Sequence, residues 1–389
     1  MPRMNVGIVL SRNFPTGATS RWRRMAIAIT DNDHDAFVYA INTSKGPEHS
    51  TDAETPRPAE DQHQYAAVRR FSWLLGSGLF PVLGARVPLN PFWIAWLTVQ
   101  LYDSDVDVVI AGDIRCGLPT IIAGKLVGVG VVFDLAEDWK EYVKLIPKDS
   151  IPMYVVYNQW LVWMLERLTV RFADRVIVVC RERKHQIEHN WKSAGDVAIV
   201  RNTPIRSERP RRRMYEAHRE GVTLVYLGVL RRFRGLDVMI DTIAELDASG
   251  HVVHLAIGGN GPVLDDLRRR AEKRNVEHLV RFHGWIEEGE IARFLQRADI
   301  GVIPHRRNPH IDSTLPNKLF DYMAVGLPVF TTPAEPVRRI VEETECGVVF
   351  DGDSDPETIS ERLVWMHESG SLADLGSNGR QAVQSKYNW

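Results

Sequence analysis

The sequence predicts an α/β fold of two domains, each with a parallel sheet covered by helices. Short runs of β-branched residues alternate with helical patterns along the whole chain, as expected when crossover helices join parallel strands. At 389 residues the chain exceeds the length that one hydrophobic core usually supports. A stretch rich in Arg, Pro and Glu separates two such series. We therefore expect domains at residues 1–205 and 221–370, a linker at 206–220, and a helical segment at 371–389 that stops short of the natural C-terminus.

The composition is that of an ordinary globular protein with no general affinity for nucleic acid. Apolar residues make up 44% of the chain, charged residues 25%, and the formal net charge is −2. Cys116, Cys180 and Cys346 are far apart and show no metal-ligand spacing, which favours a reducing compartment and no zinc. The apolar residues 6–10 are too few for a signal peptide. We expect a cytoplasmic protein.

The first series starts with a strand at residues 5–10 and a helix at about 20–30, which Thr19 or Ser20 can cap. Residues 43–65 are polar and rich in Pro, His and Asp, and this composition predicts a mobile loop. The other strands of this series are predicted at residues 36–41, 106–111, 130–133, 175–179 and 197–200.

The second series predicts strands at residues 223–226, 251–257, 280–282, 300–303, 328–331 and 347–350. The second of these strands runs into a glycine turn that contains Gly259 and Gly261. Glycines there would let the backbone approach a ligand, although glycine turns close most strand-to-helix connections. The turn is not a dinucleotide-binding fingerprint, because Leu264 stands where the third glycine is required.

Cationic residues follow the first strand of the second series. Arg231 and Arg234 lie beyond its carboxyl end, where open α/β sheets bind their ligands. Arginine can donate to two diphosphate oxygens at once and stays charged. These residues therefore favour a diphosphate site, with solvated surface arginines as the alternative.

The most specific segment is a helix predicted at residues 314–325. The start of a helix offers free N–H groups and a positive dipole end, which suit a diphosphate. Lys318 adds a charge there, and Asp321 is an acceptor suited to a ribose diol. His305 and His310 border the segment, so either can contact the same ligand.

Together these segments resemble the retaining glycosyltransferases of the GT-B fold, in particular family four, over residues 7–389. The resemblance implies an α/β GT-B fold with two Rossmann-like domains whose parallel sheets face each other across a cleft. In that family a helix headed by a Glu-x7-Glu motif binds the donor. Asp321 falls at the second glutamate, which binds the ribose hydroxyls, and Ser313 falls at the first, with Asp312 as a substitute. The Pro-Asn-Lys sequence that starts at Pro316 resembles a subgroup that also lacks the first glutamate.

The resemblance implies the other donor contacts too. The family's Lys-Gly pair on the diphosphate corresponds to Arg234 and Gly235, while Val229 stands where an arginine is expected and Arg231 is its candidate replacement. The loop around Ile286 resembles one that reads the nucleobase through main-chain groups, which leaves the base open. The implied donor site comprises Gly17, Arg231, Arg234, Gly259, Ile286, Ser313, Thr314, Leu315, Lys318 and Asp321.

The N-terminal half is expected to hold the acceptor. Gly17 lies in a segment that resembles the family's first glycine loop. Glu137 and Asp138 follow the strand predicted at 130–133, where the family often has an Asp-x-His-Asp element, although the histidine is absent here. Either carboxylate is a candidate for polarising the acceptor hydroxyl, and helix capping is the alternative role of Asp138.

Two acidic clusters imitate metal sites. Asp103, Asp105 and Asp107 contain an Asp-x-Asp pattern but directly precede a strand, which favours a polar loop. Residues 351–355 are spaced like a calcium loop but lack its glutamate ligand. We therefore predict no metal site, and the nucleotide sugar is a substrate rather than a cofactor.

The predicted function is transfer of a sugar from a UDP- or GDP-sugar to the hydroxyl of a sugar or lipid-linked acceptor, in the synthesis of cell-surface glycans or glycolipids. Retention of configuration is implied by the resemblance alone. The catalytic candidates are Glu137 and Asp138 at the acceptor, and Arg234 and Lys318 at the departing diphosphate. A sugar-nucleotide epimerase on the same fold and a non-catalytic binding protein are the alternatives.

The N-terminal half also carries many aromatic residues. Those within residues 71–102 are joined by Tyr154, Tyr157, Trp160, Trp163 and Phe172, beside Arg167 and Arg171. Aromatic and basic side chains together suit the headgroup boundary of a membrane, which predicts peripheral contact with the inner membrane face. Core packing or a dimer contact would use the same residues.

Overall fold

The computed structural model describes residues 2–11, 20–41, 67–71, 89–146, 158–191, 196–204 and 221–388. The chain divides into two compact units, Met1–Val200 and Arg201–Trp389. Each unit contains one parallel sheet with helices packed on it. The loop predicted at 43–65, the linker predicted at 206–220 and Gly17 lie outside the described residues.

The sheet of the first unit has seven parallel strands in the order β3-β2-β1-β4-β5-β6-β7. Its strands are β1 Asn5–Leu10, β2 Asp35–Ile41, β3 Ala67–Phe71, β4 Val108–Ala111, β5 Gly130–Asp134, β6 Arg175–Val178 and β7 Asp196–Ile199. The sequence did not predict β3, because Arg69 and Arg70 interrupt its apolar pattern. An edge strand tolerates such residues, and among the described strands β3 pairs only with β2.

The described helices of the first unit are α1 Ser20–Asp31, α2 Pro91–Asp103, α3 Ile114–Val127, α4 Trp139–Tyr142, α5 Gln159–Phe172 and α6 Arg181–Asn190. Side-chain oxygens of Asn90, Asp113 and Asn158 accept hydrogen bonds from the first N–H groups of α2, α3 and α5. The helix predicted at about 20–30 is confirmed as α1. Helix α2 packs against α3, and α3 packs against α5.

The sheet of the second unit has six parallel strands in the order β10-β9-β8-β11-β12-β13. Its strands are β8 Val222–Leu227, β9 Val253–Gly258, β10 Val280–Gly284, β11 Ile300–Ile303, β12 Val329–Thr331 and β13 Gly347–Val349. Its helices are α7 Leu236–Ala248, α8 Leu264–Lys273, α9 Ile291–Leu295, α10 Asn317–Val325, α11 Glu335–Thr344, α12 Pro356–Glu368 and α13 Leu372–Ser385. Every strand predicted from the sequence is confirmed, with ends that differ by no more than one or two residues.

The helix predicted at residues 314–325 starts three residues later than the sequence indicated, and that expectation was wrong. Helix α10 begins at Asn317 with Pro316 as its N-cap, after a separate 3-10 turn at Ile311–Ser313. Proline disfavours the helical conformation in the residue before it, so Leu315 cannot readily continue a helix into Pro316. Thr314 and Leu315 therefore belong to a loop.

Within the described part of the chain, no helix is both long and apolar enough to cross a bilayer.

Candidate functional site

The candidate donor site lies at the carboxyl ends of β8, β9 and β11, which are neighbours in the second sheet. The loops that leave these strands, together with α10 after the β11 loop, carry the predicted donor residues apart from Ile286, which follows β10, and Gly17, which lies outside the described residues. Since parallel strands end at the same edge, the loops converge there. We call this edge the donor edge.

Three side chains form a cationic cluster at the donor edge, defined here as Arg234, His305 and Lys318. The Lys318 Nζ lies 3.6 Å from the centroid of the Tyr226 ring and 3.4 Å from His305 Nε2. The Arg234 Nη1 lies 3.1 Å from His305 Nε2 and 3.2 Å from its Nδ1. His305 is only 1% exposed and Lys318 7%. Two cations therefore share one buried imidazole.

The cluster has an excess of positive charge. Burial, followed by the charge of Arg234, lowers the pKa of Lys318 well below its usual value, and Asp321 only partly opposes this. Burial and the two cations likewise lower the pKa of His305 well below its usual value. Among the described residues no carboxylate forms a salt bridge with Arg234 or Lys318, and the buried Arg234 Nε finds no hydrogen-bond partner. Such a cluster favours an anion.

Helix α10 presents its start to the same place. Its N-cap, Pro316, makes no side-chain capping hydrogen bond, so the first N–H groups keep their capacity to donate. Lys318 is in the first turn, and Asp321 follows it by three residues, so both lie on one helix face. The charge of Lys318, the N–H groups that start α10 and the acceptor Asp321, all predicted to bind a nucleoside diphosphate, thus lie in one place.

The side chains of Ser313 and Thr314 are used within the loop before α10. The buried Ser313 hydroxyl donates to the carbonyls of Pro309 (2.9 Å) and His310 (3.1 Å), and the Thr314 hydroxyl donates to His310 O at 2.9 Å. Leu315 is buried as well. A ligand would therefore meet these residues through backbone groups.

Asp312, the expected substitute for the missing glutamate, is engaged elsewhere. It forms a salt bridge with Arg307 (3.1 Å) and accepts a hydrogen bond from the Glu335 backbone N–H at 3.2 Å. These contacts connect the loop to the start of α11, which indicates a structural role for Asp312.

The glycines of the β9 loop serve backbone packing. A Cβ on Gly259 would lie 2.0 Å from Gly228 O, and one on Gly261 would lie 2.1 Å from Leu230 O. The two loops are joined by hydrogen bonds from Gly228 N to Gly258 O (2.9 Å) and from Leu230 N to Asn260 O (3.0 Å). The glycines are thus required for two loops to stack.

Sequence reasoning missed two contributors to the cationic cluster. The Tyr226 ring lies under the Lys318 amine, and a Cβ on Gly228 would lie 3.2 Å from the same amine. Burial raises the pKa of Tyr226 to about 12, so the phenol stays neutral, and its hydroxyl donates to Val229 O. The signal in the sequence was an aromatic residue one position before the end of β8 and two positions before a glycine.

Arg231 and Ile286 lie in the loops that follow β8 and β10. Arg231 directly precedes the 3-10 turn Arg232–Arg234, and its carbonyl accepts from Arg234 N at 2.9 Å. Ile286 follows β10, and its Cγ1 lies 2.9 Å from where a Cβ on Gly258 would stand. Ile286 therefore packs on the end of β9, next to the glycine loop.

In the first unit, Asp138 belongs to a buried ion-pair group. Its carboxylate accepts from Glu141 N at 3.2 Å as the N-cap of α4, which confirms the capping alternative. It also pairs with Arg183 at 3.1 Å, and Arg183 pairs with Glu166 at 2.5 Å. Glu137, the neighbouring candidate, is half-buried at the same strand end.

Asp134 ends β5 and ties this strand to the start of α1. It accepts hydrogen bonds from the Arg21 Nε and Nη2 (both 2.8 Å) and from the Trp22 Nε1 (3.0 Å). Arg21 and Asp134 are both buried, so their ion pair fixes the position where α1 begins.

The two acidic clusters have structural roles in the described residues. Asp107 accepts from the Asn5 backbone N–H at 2.7 Å, and Asp355 caps α12 by accepting from Thr358 N at 2.9 Å. The described ranges contain no group of three or more His, Cys, Asp or Glu side chains arranged to hold a metal ion.

Family models match both units. Residues 16–203 match the glycosyl transferase 4-like domain, and residues 210–382 match the glycosyl transferases group 1 model. The second unit belongs to the group 1 glycosyltransferases.

Curated relatives of this glycosyltransferase are matched over parts of their length. A GDP-mannose-dependent alpha-(1-6)-phosphatidylinositol monomannoside mannosyltransferase of Mycobacterium tuberculosis is 26% identical over 175 residues, 44% of this chain and 45% of that one. The lipopolysaccharide core biosynthesis glycosyltransferase LpsE of Rhizobium meliloti is 24% identical over 231 residues, 56% of this chain and 61% of that one. The matched segments thus span between two fifths and two thirds of these relatives.

Solved structures show the GT-B fold of this glycosyltransferase over nearly its whole length. HepE of Anabaena, in complex with UDP, superposes with a TM-score of 0.70 at 15% identity, covering 99% of this chain and 96% of that one. Sucrose-phosphate synthase of Thermosynechococcus elongatus gives a TM-score of 0.74 at 16% identity, covering 100% and 96%.

Proposed function

We propose that the protein transfers a glycosyl group, with retention, from a UDP- or GDP-sugar to an acceptor hydroxyl in the synthesis of a cell-surface glycan or glycolipid. The observation that carries this proposal is the cationic cluster, in which Arg234 and Lys318 are close together without a carboxylate partner among the described residues. A diphosphate supplies the missing negative charge. HepE binds UDP and UDP-glucose, and the mycobacterial relative depends on GDP-mannose, so both bases remain in the proposal.

The leaving nucleoside diphosphate gains charge as the glycosidic bond breaks. Arg231, Arg234 and Lys318, with the N–H groups that start α10, would stabilise this charge in a site that is largely shielded from water. Asp321 would accept from the ribose hydroxyls, and the main chain near Ile286 would contact the base. Neither a cofactor nor a metal ion is needed for these contacts.

On the acceptor side, Glu137 is a proposed candidate for polarising the hydroxyl, whereas the contacts of Asp138 argue against that residue. Asp138 is committed to capping α4 and to the ion pair with Arg183. A carboxylate that holds two structural partners is a poor proton acceptor, because accepting a proton would weaken both contacts.

The acceptor is proposed to be lipid-linked, with the enzyme bound peripherally to the inner membrane face. In the first unit Phe92 is 62% exposed, Tyr102 77% and Trp160 66%. Their exposure excludes core packing, which is the alternative for these residues. In contrast, Trp93, which lies on α2 with Phe92 and Tyr102, is buried. We call the outward faces of α2, α3 and α5 the apolar layer. Arg167 over the Trp163 ring and Arg171 over the Phe172 ring add positive charge to it.

Donor turnover tests the proposed function. A panel of UDP- and GDP-sugars is first screened by thermal shift, because a bound ligand raises the melting temperature. The stabilising donor is then incubated with and without lipid-linked and soluble acceptors. Release of nucleoside diphosphate that depends on acceptor supports transfer. Sugar inversion without acceptor would instead identify an epimerase, and tight binding without turnover a binding protein.

A further inference from the structure

We propose that His305 is a positioning residue, a buried neutral ring that holds Arg234 and Lys318 at the spacing required to bind one diphosphate. The inference rests on the proposed function, because the anion it concerns is the diphosphate of the donor. It assigns a role to a residue that itself need not touch the ligand.

The imidazole of His305 has a fixed place in the fold. His305 lies two residues beyond β11, and its carbonyl accepts from the Thr332 hydroxyl at 2.6 Å. The ring is almost entirely buried, and its contacts within the described residues are with Arg234 Nη1 and Lys318 Nζ. Arg234 comes from the β8 loop and Lys318 from α10, so the ring links two separate elements of the donor edge.

The ring of His305 offers fewer acceptors than its two cationic neighbours have donors. A neutral imidazole offers one lone pair in its plane, and its other nitrogen carries a hydrogen. Arg234 Nη1 is almost equally far from both ring nitrogens, so it lies over the face of the ring, whereas Lys318 Nζ approaches Nε2 alone. The single in-plane lone pair therefore cannot serve both cations. At least one cation is left with unmet donor capacity, and a diphosphate oxygen between them would satisfy it.

The charges around His305 favour its neutral form. The groups that act on His305 are Arg234, Lys318 and His310, and those that act on Lys318 are Arg234 and Asp321. A third positive charge at His305 would be repelled by both cations in a buried site, so the ring stays neutral. A neutral acceptor helps both cations to remain charged until the anion arrives.

Binding of UDP and GDP tests the proposal by calorimetry on the full chain. His305→Leu removes the lone pair, His305→Gln keeps a neutral acceptor near Nε2, and His305→Asn keeps one near Nδ1, out of reach of Lys318. We expect Leu and Asn to weaken nucleotide binding about tenfold or more, and Gln to retain affinity within about threefold. His254→Leu, on β9, is the control and should leave affinity unchanged.

A pH series separates positioning from simple space filling. Nucleotide affinity falls as pH rises through the pKa of Lys318, since the neutral amine no longer attracts the anion. Removing the acceptor at His305 lowers that pKa further, so the affinity of the Leu variant should begin to fall at a lower pH than in the wild type. The Gln variant should follow the wild type. If the Leu variant does not fold, the comparison of Asn with Gln decides, and equal affinity of these two overturns the inference.

The failure of this inference can be told from the failure of the proposed function. Arg234→Gln and Lys318→Met remove the cations themselves. If both leave UDP and GDP binding intact, no diphosphate is bound at the cluster and the proposed function loses its main support. If both abolish binding while His305→Leu binds normally with an unshifted pH profile, the cluster binds the diphosphate and only the role of His305 is wrong.

Discussion

Glu166 shows that burial can outweigh an ion pair at a single residue. Although Arg183 contacts it, desolvation raises the pKa of Glu166 to about 7, and the nearby charge of Asp138 acts in the same direction. The folded chain therefore binds a proton at Glu166 more tightly than the unfolded chain does. The ionised carboxylate is destabilising above pH 7, and this cost disappears as pH falls to the unfolded value near 4.5.

Glu166→Gln should remove this pH dependence. The amide keeps an acceptor for Arg183 and carries no charge, so the variant should melt higher than the wild type at pH 8 and at a similar temperature at pH 5. Thermal unfolding at the two pH values measures the difference. Glu188→Gln, in a partly exposed pair with Lys184 on α6, is the control. A constant difference at both pH values would show that Glu166 does not titrate in this range.

Asp321→Ala tests the proposed ribose contact. A hydrogen bond that involves a charged group contributes about 1.5–3 kcal/mol, so nucleotide affinity should fall by about tenfold or more. Calorimetry with UDP and GDP gives the affinity, and Asp353→Ala, in an exposed loop, is the matched control. Unchanged affinity in a folded variant would remove Asp321 from the site.

We expect turnover without a metal ion, because positive side chains are proposed to neutralise the diphosphate. If Arg231, Arg234 and Lys318 neutralise it, turnover should survive exhaustive treatment with EDTA. The rate of nucleoside diphosphate release before and after treatment is the measurement. A loss of rate that manganese or magnesium restores would bring the acidic cluster at Asp103, Asp105 and Asp107 back into consideration.

At the scale of the elements, glycines decide how the loops of the donor edge pack. Gly235 has a φ of +69°, and a Cβ there would lie 1.8 Å from Pro304 O. Gly250 has a φ of +81° with no atom within 4 Å of its Cβ position. The two glycines share a left-handed backbone and differ in the space around them.

Gly235→Ala should therefore cost much more stability than Gly250→Ala. The left-handed conformation alone costs a non-glycine residue about 1 kcal/mol, which lowers the melting temperature by about 2–4 °C. At Gly235 the loop after β8 or after β11 must also move, which displaces Arg234 and weakens nucleotide binding. Melting curves and UDP titrations of both variants test this. Equal losses would mean that the two loops separate easily.

The sequence predicted most elements, and the exceptions have physical causes. Alternating strands and helices are visible because apolar periodicity marks each of them. Strand β3 was missed because an edge strand can carry Arg69 and Arg70. Helix α10 starts later than the apolar pattern indicates, because Pro316 disfavours a helical conformation at Leu315. The local sequence pattern predicts that an element exists more reliably than it predicts the residue at which the element begins.

At the scale of the whole chain, the candidate site was predictable in its parts and not in its contacts. Arg234 and Lys318 are 84 positions apart in the sequence, yet both contact the imidazole of His305. Their shared role could be expected because parallel strands end at one edge. The position of His305 between them depends on side-chain packing, which cannot be read from a single sequence. The same holds for Ser313 and Asp312, whose side chains make contacts within the loop instead of facing a ligand.

The apolar layer of the first unit combines exposed aromatic rings with basic side chains. On α2 the exposed side chains Phe92, Val99 and Tyr102 follow a helical spacing, and no basic or acidic residue occurs in this helix before Asp103. Together with Arg167 and Arg171 on α5, this surface suits the headgroup region of an anionic bilayer. Ionic attraction and insertion of aromatic rings should then act together.

Flotation with liposomes should recover the protein with vesicles that contain phosphatidylglycerol and less of it with phosphatidylcholine alone. Trp160→Ser should reduce flotation, because it removes a ring that is 66% exposed in the apolar layer. Trp365→Ser is the matched control, since Trp365 is 53% exposed but belongs to the second unit. Protein that stays at the bottom of the gradient with both vesicles would rule out the membrane and favour a soluble acceptor. Sedimentation velocity of the same variants tests the remaining alternative, because a dimer contact at this surface would make Trp160→Ser dissociate a dimer that Trp365→Ser leaves intact.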